Sequence, residues 1–225
     1  MTEEGKAYWG IGGGVRDKVS SPMHGVLLLA LLAIPRFVPD LQRWPWYLVA
    51  PLSIYLLAVA LISPLRRTAR WNRLGRLRGS VLLATGALIA ISSSVLLLYD
   101  ATCQPNLVHL RQQLPLTLPL HVAVVGALFS ALNALLEEVI FRGILLDALT
   151  GAVGMWWAVA VQAVVFGAGH ATGYPPGALG MALAASYGLL LGWLRQWSGG
   201  LAAPWLAHVF ADATIFWIVV TAQQS

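Results

Sequence analysis

The stretch LHVAVVGALFSALNALLEEVIFRGILLDAL, from Leu120 to Leu149, decides the fold class of this chain. It is longer than the roughly 20 apolar residues that a helix needs to cross a bilayer. The apolar run lacks the alternation of apolar and polar residues that is typical of a barrel strand. Near its middle it nevertheless holds Glu137, Glu138 and Arg142. The stretch therefore predicts a transmembrane helix that carries charged residues at the depth of the lipid tails.

Six further apolar stretches flank this one, and each is separated from the next by Gly, Pro or charged residues. Together the seven stretches predict an all-α bundle of transmembrane helices, in which short connections make the last four helices antiparallel neighbours. The six stretches run from Met23 to Val38, Trp44 to Ile62, Ser80 to Tyr99, Met155 to Ala171, Gly177 to Leu194 and Leu201 to Ala222.

The composition of the 225 residues agrees with a membrane protein, since 58% are hydrophobic and only 10% are charged. A soluble domain usually carries about 25% charged residues. The balance excludes an ordinary cytosolic enzyme and a disordered chain, and the single Cys103 excludes a disulfide scaffold. The net charge of +5 comes mostly from loop arginines, which suit anionic lipid headgroups better than nucleic acid.

Basic residues cluster on one predicted side of the membrane, mainly in the Arg-rich loop 63–79. Because Lys and Arg accumulate in cytoplasmic loops, we expect this loop to be cytoplasmic in a bacterial or archaeal cell membrane. The chain then divides into a cytoplasmic leader (1–22), N-terminal helices (23–119) and a four-helix core (120–222).

Three acids and two histidines of the core lie well inside apolar stretches: Glu137, Glu138, Asp212, His170 and His208. A charge at the bilayer centre costs at least about 2.5 kcal/mol, so such residues normally pair or line a water-filled cavity. Counted at 1.5 Å per residue from the turns, the two histidines, Glu137 and Asp212 lie about 12 to 24 Å into their helices. All four depths fall within a hydrocarbon layer about 30 Å thick. We therefore expect these side chains to converge at one buried level.

A cluster of this kind supports two related reactions. A buried Glu could act as general base on a water molecule, with a His assisting and other polar groups stabilising the oxyanion. Alternatively, Glu137, His170, His208 and Asp212 could bind zinc, with Glu as the base. Both describe hydrolysis of a peptide bond within the membrane, and no H-E-x-x-H sequence is present to favour zinc.

Three motifs occur in order along the core: Glu137-Glu138-x-x-x-Arg142, Phe166-x-x-x-His170 and His208-x-x-x-Asp212. They resemble the E-E-x-x-x-R, F-x-x-x-H and H-x-x-x-N/D motifs of the CPBP family, which comprises CAAX proteases and bacteriocin-processing enzymes and is also called the Abi family. The resemblance covers about residues 120–220. It implies an intramembrane endopeptidase that acts on a membrane-anchored protein or peptide, with no cofactor favoured and zinc left open.

Carried onto this chain, the resemblance gives each motif residue a role. Glu137 would activate the water, His170 would assist it, and His208 with Asp212 would stabilise the oxyanion. Three supporting residues would shape the site: Glu138, Arg142 and Phe166. Family members have about eight transmembrane helices, so the resemblance also suggests a short eighth helix between Leu107 and Leu118.

Asp212 departs from the Asn variant of the third motif, because an ionised Asp would repel an oxyanion. It must be protonated, orient His208 or bind a metal, and the residues alone leave these alternatives open. Two other functions also stay open: an ion- or proton-coupled transporter, because buried ionisable residues also mark ion pathways, and a non-catalytic immunity or scaffold protein of the same fold.

Overall fold

The computed structural model describes residues 21–111, 119–171 and 173–222, and this part of the chain is helical without strands. Helices α1 and α2 are joined by two short 3₁₀ turns, Ile34–Phe37 and Pro39–Leu41. The helices in chain order are α1 (Pro22–Ala33), α2 (Trp46–Leu61), α3 (Ser63–Thr68), α4 (Gly79–Cys103), α5 (Val108–Arg111), α6 (Pro119–Glu137), a π-helical segment (Glu138–Leu145), α7 (Leu146–Val153), α8 (Met155–Gly169), α9 (Gly177–Ser198) and α10 (Ala202–Thr221).

Four helical segments are long and apolar enough to cross a membrane, and three apolar helices are shorter. Each of the seven predicted apolar stretches overlaps one of these segments, which confirms an all-α polytopic membrane bundle. The long segments are Gly79–Cys103, His121–Val153, Gly177–Ser198 and Ala202–Thr221, and the shorter ones are Pro22–Phe37, Trp46–Leu61 and Met155–Gly169.

Two sequence predictions fall wholly or partly outside the described residues. The cytoplasmic leader lies almost entirely within residues 1–20. Of the suggested eighth helix between Leu107 and Leu118, the single turn α5 is described and residues 112–118 are not. The Arg-rich loop differs from expectation, because its first part, Ser63–Thr68, forms the short helix α3.

The helix predicted from Leu120 to Leu149 changes its winding in the middle. Glu138–Leu145 is a π-helix, inserted without a break between α6 and α7. A π-helix bonds residue i to i+5 instead of i+4, and such segments occur frequently at functional sites. The motif residues Glu138 and Arg142 lie within this segment, so the altered winding decides which neighbours they meet.

Helices α8 and α9 are an antiparallel pair whose contact is made by small residues. A Cβ on Gly167 would lie 2.6 Å from the carbonyl oxygen of Met181, and one on Gly188 would lie 3.2 Å from Cα of Ala163. In lipid, packing and hydrogen bonds drive helix association, and small residues let backbones approach closely. The pair therefore holds Phe166 and His170, at the end of α8, in a fixed position.

The N-terminal helices pack on the core. Leu28 of α1 and Tyr55 of α2 are fully buried in one cluster with Ile140 and Ile144 of the π-helical segment and Phe166 of α8. Helix α10 packs against α4 and α6. The residues before α6 thus cover the helices that carry the three motifs.

The non-helical part of the Arg-rich loop is bound to the turn between α9 and α10. Arg76 N donates to Ser198 O at 2.9 Å, and Leu201 N donates to Arg73 O at 2.8 Å. Gly75 approaches this turn so closely that a Cβ would lie 2.5 Å from Gly200 N. The loop is therefore held against the ends of two core helices.

Where the loop meets the core helices lies a small group of charged side chains, which we term the arginine cluster: Arg73, Asp147 and Arg195. Arg73 Nη2 is 3.1 Å from Asp147 Oδ1, and Arg195 Nη2 donates to Trp71 O at 3.4 Å. Asp147 and Arg195 are buried, whereas the Arg73 side chain is 42% exposed.

Candidate active site

Five ionisable side chains from three parts of the core meet in one place, and we term them the carboxylate cluster: Glu137, Glu138, His170, His208 and Asp212. The two glutamates lie where α6 passes into the π-helical segment, His170 follows the last residue of α8, and the other two lie on α10. The structure thus places close together the four residues predicted from the sequence to be catalytic: Glu137, His170, His208 and Asp212.

Glu137 lies between the two histidines. Its Oε2 is 3.8 Å from His170 Nε2 and 3.6 Å from His208 Nε2. Among the described residues this buried oxygen has no hydrogen-bond partner, whereas Oε1 accepts a hydrogen bond from Asn133 Nδ2 at 3.3 Å. One carboxylate oxygen of Glu137 is therefore held in place and the other is free to accept a proton.

His170 is held by the helix that carries it. Its Nδ1 is 2.8 Å from the carbonyl oxygen of Phe166, and the two rings lie 4.4 Å apart between centroids. A carbonyl oxygen only accepts, so Nδ1 carries the proton and Nε2 faces Glu137. The side chain of His170 is 25% exposed, against 8% for Glu137. The cluster is accordingly most open on the His170 side.

His208 is oriented by Glu138. Its Nδ1 is 2.8 Å from Glu138 Oε1, which leaves Nε2 facing Glu137 and lying 3.7 Å from Asp212 Oδ1. A carboxylate on one ring nitrogen decides which nitrogen is presented to the reaction. The sequence predicted only the pairing of Glu138 with Arg142, so this contact across 70 residues is a new finding.

Arg142 forms an ion pair with Glu138. Its Nη1 is 3.0 Å from Glu138 Oε1, as the spacing of four residues predicts, and both side chains are fully buried. The guanidinium lies 4.0 Å from the centroid of the Phe166 ring, a favourable cation–π distance. Arg142, Glu138 and His208 form a chain in which each group orients the next, and Phe166 connects it to His170.

Asn133 belongs to the site but is absent from the motifs. Its Nδ2 donates to Asp212 Oδ2 at 3.1 Å as well as to Glu137. Its Oδ1 accepts a hydrogen bond from Trp44 Nε1 at 2.9 Å. Asn133 could have been identified from the sequence, because it precedes Glu137 by four residues and so lies on the same helix face. No pattern in the sequence indicates Trp44.

The turn after His170 is attached to α4. The hydroxyl of Tyr174 donates to Asp100 Oδ1 at 3.3 Å, and the two tyrosine rings Tyr174 and Tyr99 meet edge to face. Burial, together with the charge of Asp100, raises the pKa of Tyr174, so its hydroxyl stays protonated as a donor. This contact restrains the turn on the open side of the site.

A zinc ion takes donor atoms at about 2.0–2.3 Å, usually in a tetrahedron. Within residues 21–111, 119–171 and 173–222, no group of three or more His, Cys, Asp or Glu side chains is placed to hold a metal ion. Metal-free catalysis stays a prediction.

Comparison with known proteins gives one match. The family model "Type II CAAX prenyl endopeptidase Rce1-like" matches residues 119–214. No curated protein and no solved structure matches the chain significantly. The matched segment contains all three motifs and Asn133, whereas Trp44 lies outside it. The match confirms the resemblance to CAAX proteases: residues 119–214, less than half of the chain, are similar to the Rce1-like type II CAAX prenyl endopeptidases.

Proposed function

We propose that this chain is an intramembrane endopeptidase in which Glu137 is the general base. The observation that carries the proposal is the buried Oε2 of Glu137, which lacks a hydrogen-bond partner among the described residues and faces the Nε2 atoms of His170 and His208. A general base needs such an acceptor within reach of the water that it deprotonates.

The proposed reaction begins when Glu137 takes a proton from a water molecule that His170 helps to orient. The resulting hydroxide attacks the carbonyl carbon of the scissile peptide bond. The C–N bond then breaks, and the leaving amine receives the proton that Glu137 accepted. Atoms and charge balance without a cofactor, because the products are one carboxylic acid and one amine.

The carbonyl oxygen of the substrate becomes negatively charged when hydroxide adds, and it needs a donor. His208 can provide one only when Nε2 carries a proton, because Nδ1 is directed to Glu138. Asp212 accepts from Asn133 and lies beside His208, so we assign it the task of orienting and balancing the charge of His208. This choice is one of the three that the sequence left open.

The proposed substrate is a membrane-anchored protein or peptide. The cluster is buried within a helical bundle whose long helices are suited to a bilayer, so the scissile bond must reach it from within or beside the membrane. His170 is the most exposed member of the catalytic set, which makes the turn after α8 the proposed side of entry.

The proposal is tested by co-expressing the protein with candidate membrane-anchored substrates, encoded by neighbouring genes, and identifying cleaved termini by mass spectrometry. Glu137→Gln should abolish cleavage, with a loss of about 100-fold or more, and His170→Ala should lower it strongly. Asp40→Asn is the control, because Asp40 is exposed and lies far from the motif residues in the sequence. Cleavage that survives Glu137→Gln would refute the role of Glu137, and proton uptake by liposomes without cleavage would favour a transporter.

We also propose that the Arg-rich loop faces the cytoplasm. Cys103, the single cysteine, is exposed at the far end of α4 from this loop. In intact cells Cys103 should react with a membrane-impermeant maleimide, whereas a cysteine introduced as Arg76→Cys in a Cys103→Ser chain should react only after permeabilisation. The reverse pattern would invert the orientation.

A further inference from the structure

Asn133 lies among charged groups in an orientation that its partners determine. The indole Nε1 of Trp44 can only donate a hydrogen bond, and it points at Asn133 Oδ1 from 2.9 Å. The amide nitrogen must therefore face the other way, toward Glu137 and Asp212. A flipped amide would set its NH₂ against the indole N–H and its oxygen against two carboxylates.

The two hydrogens of Asn133 Nδ2 match the two carboxylates. One is directed to Glu137 Oε1 at 3.3 Å and the other to Asp212 Oδ2 at 3.1 Å. The amide thus uses both donors and its acceptor, although its side chain is buried within an apolar helix. It also turns each carboxylate so that the opposite oxygen, Oε2 of Glu137 or Oδ1 of Asp212, faces His208 Nε2.

Trp44 reaches the site from the turn before α2, in the N-terminal part of the chain. Its ring packs on Phe129 of α6 at 5.2 Å between centroids, so the indole is held by an aromatic neighbour as well as by its hydrogen bond. The family match begins only at residue 119. The N-terminal part of the chain therefore supplies one member of the hydrogen-bond chain that ends at the two carboxylates.

We infer that Asn133 and Trp44 are positioning residues for peptide hydrolysis. Asn133 holds the carboxylates of Glu137 and Asp212 toward His208. Trp44 keeps the Asn133 amide in one orientation. The inference rests on the proposed function. It predicts that the two residues act on the rate of the chemical step and act as one unit, because Trp44 influences the carboxylates only through Asn133.

The test measures kcat and KM on a membrane-anchored peptide substrate for purified full-length variants. Asn133→Leu, which keeps the shape and removes the hydrogen bonds, should lower kcat about 10- to 100-fold with KM little changed. Trp44→Phe should lower kcat by a smaller factor. In the Asn133→Leu chain, Trp44→Phe should have no further effect on kcat, since the group through which it acts is gone.

Two controls separate positioning from stability. Trp46→Phe alters a neighbouring tryptophan that is 53% exposed. Gln162→Leu removes a buried amide of α8 that donates only to the backbone carbonyls of Val159 and Gly188. The first control should change neither kcat nor thermal stability, and the second should lower stability without lowering the kcat of the folded enzyme.

Three outcomes are distinguished by including Glu137→Gln in the same assay. If Glu137→Gln retains activity, the proposed function fails. If Glu137→Gln is inactive while Asn133→Leu has the kcat of the unaltered chain, the proposed function stands and the positioning role of Asn133 is overturned. If Asn133→Leu and Trp44→Phe lowered kcat equally and additively, the two residues would not act as one unit, and the proposed role of Trp44 would be overturned.

Discussion

The carboxylate cluster and the arginine cluster share one continuous helix, which supplies Glu137 and Glu138 to the first and Asp147 to the second, yet their charges are arranged in opposite ways. In the arginine cluster two guanidinium groups surround one acid, Asp147, and a backbone carbonyl accepts from Arg195. The carboxylate cluster holds three acids and two histidines beside the single guanidinium of Arg142. Buried oxygens of Glu137 and Glu138, like the guanidinium nitrogens of Arg142, lack hydrogen-bond partners among the described residues. Only in the carboxylate cluster does such an oxygen, Oε2 of Glu137, face the Nε2 atoms of two of the cluster's own histidines, so burial of charge alone does not distinguish the two clusters.

The largest predicted effect comes from removing the arginine that pairs with an acid of each cluster: Arg142 for Glu138 and Arg73 for Asp147. Arg142→Met leaves the fully buried Glu138 without its guanidinium partner, although Glu138 keeps its contact with His208, and should lower the free energy of unfolding by about 3–5 kcal/mol. Arg73→Met removes a partner whose side chain is 42% exposed and should cost at most about 1 kcal/mol. Thermal or denaturant unfolding in detergent measures both.

A second variant keeps this prediction testable if Arg142→Met does not fold. The double variant Glu138→Gln/Arg142→Met removes the buried charge together with its partner and should recover part of the lost stability. If Arg142→Met and Arg73→Met lowered the free energy of unfolding equally, the prediction that the buried ion pair contributes more to stability than the exposed one would be wrong.

The next effect comes from neutralising one acid in each cluster. Glu138→Gln removes the carboxylate that orients His208 and should lower kcat about 100-fold. Asp147→Asn, nine residues further along the same helix, should leave the kcat of the folded enzyme unchanged and lower only its stability. A large loss of kcat in Asp147→Asn would extend the catalytic machinery to the arginine cluster.

A smaller effect is expected where the Arg-rich loop docks. Gly75 has a φ of +82° and no room for a Cβ against Gly200, so Gly75→Ala should lower the free energy of unfolding by about 1–3 kcal/mol. Gly79→Ala is the matched control, because a Cβ at Gly79 meets nothing within 4 Å. Thermal unfolding compares the two variants, and equal stabilities would contradict the close docking of the loop.

The smallest effect is predicted for metal removal. If catalysis uses Glu137 and the histidines without zinc, treatment with a chelator should leave kcat unchanged, and elemental analysis of the purified protein should find no stoichiometric metal. Stoichiometric zinc whose removal abolishes cleavage, and whose return restores it, would replace the metal-free mechanism with the zinc alternative.

Much of the fold could be predicted from local sequence. The run of apolar residues from Leu120 to Leu149 corresponds to α6, the π-helical segment and α7 within a few residues, because each helix satisfies its own backbone hydrogen bonds in lipid. The change of winding at Glu138 was not predicted, since a π-helical segment has no separate hydrophobic period. The first part of the Arg-rich loop was likewise not predicted to be helical.

The candidate site divides in the same way. Glu137, His170, His208 and Asp212 were nominated because a charge inside an apolar stretch is costly, a fact that each stretch shows by itself. The second partner of Glu138 could not be foreseen, because His208 is 70 residues distant and on another helix. Asn133 had a local signal in its spacing from Glu137, whereas Trp44 is 89 residues from Asn133 and had none.

Local sequence was thus enough to predict the membrane class, the seven apolar stretches and the residues proposed to carry the chemistry, because hydropathy and the cost of buried charge act on each segment separately. Three features needed the packed helices: which oxygen of Glu137 lacks a hydrogen-bond partner, which nitrogen of His208 faces it, and the hydrogen bond from Trp44 to the amide between the two carboxylates. Those features depend on side-chain directions across helices far apart in the chain, and packing sets such directions.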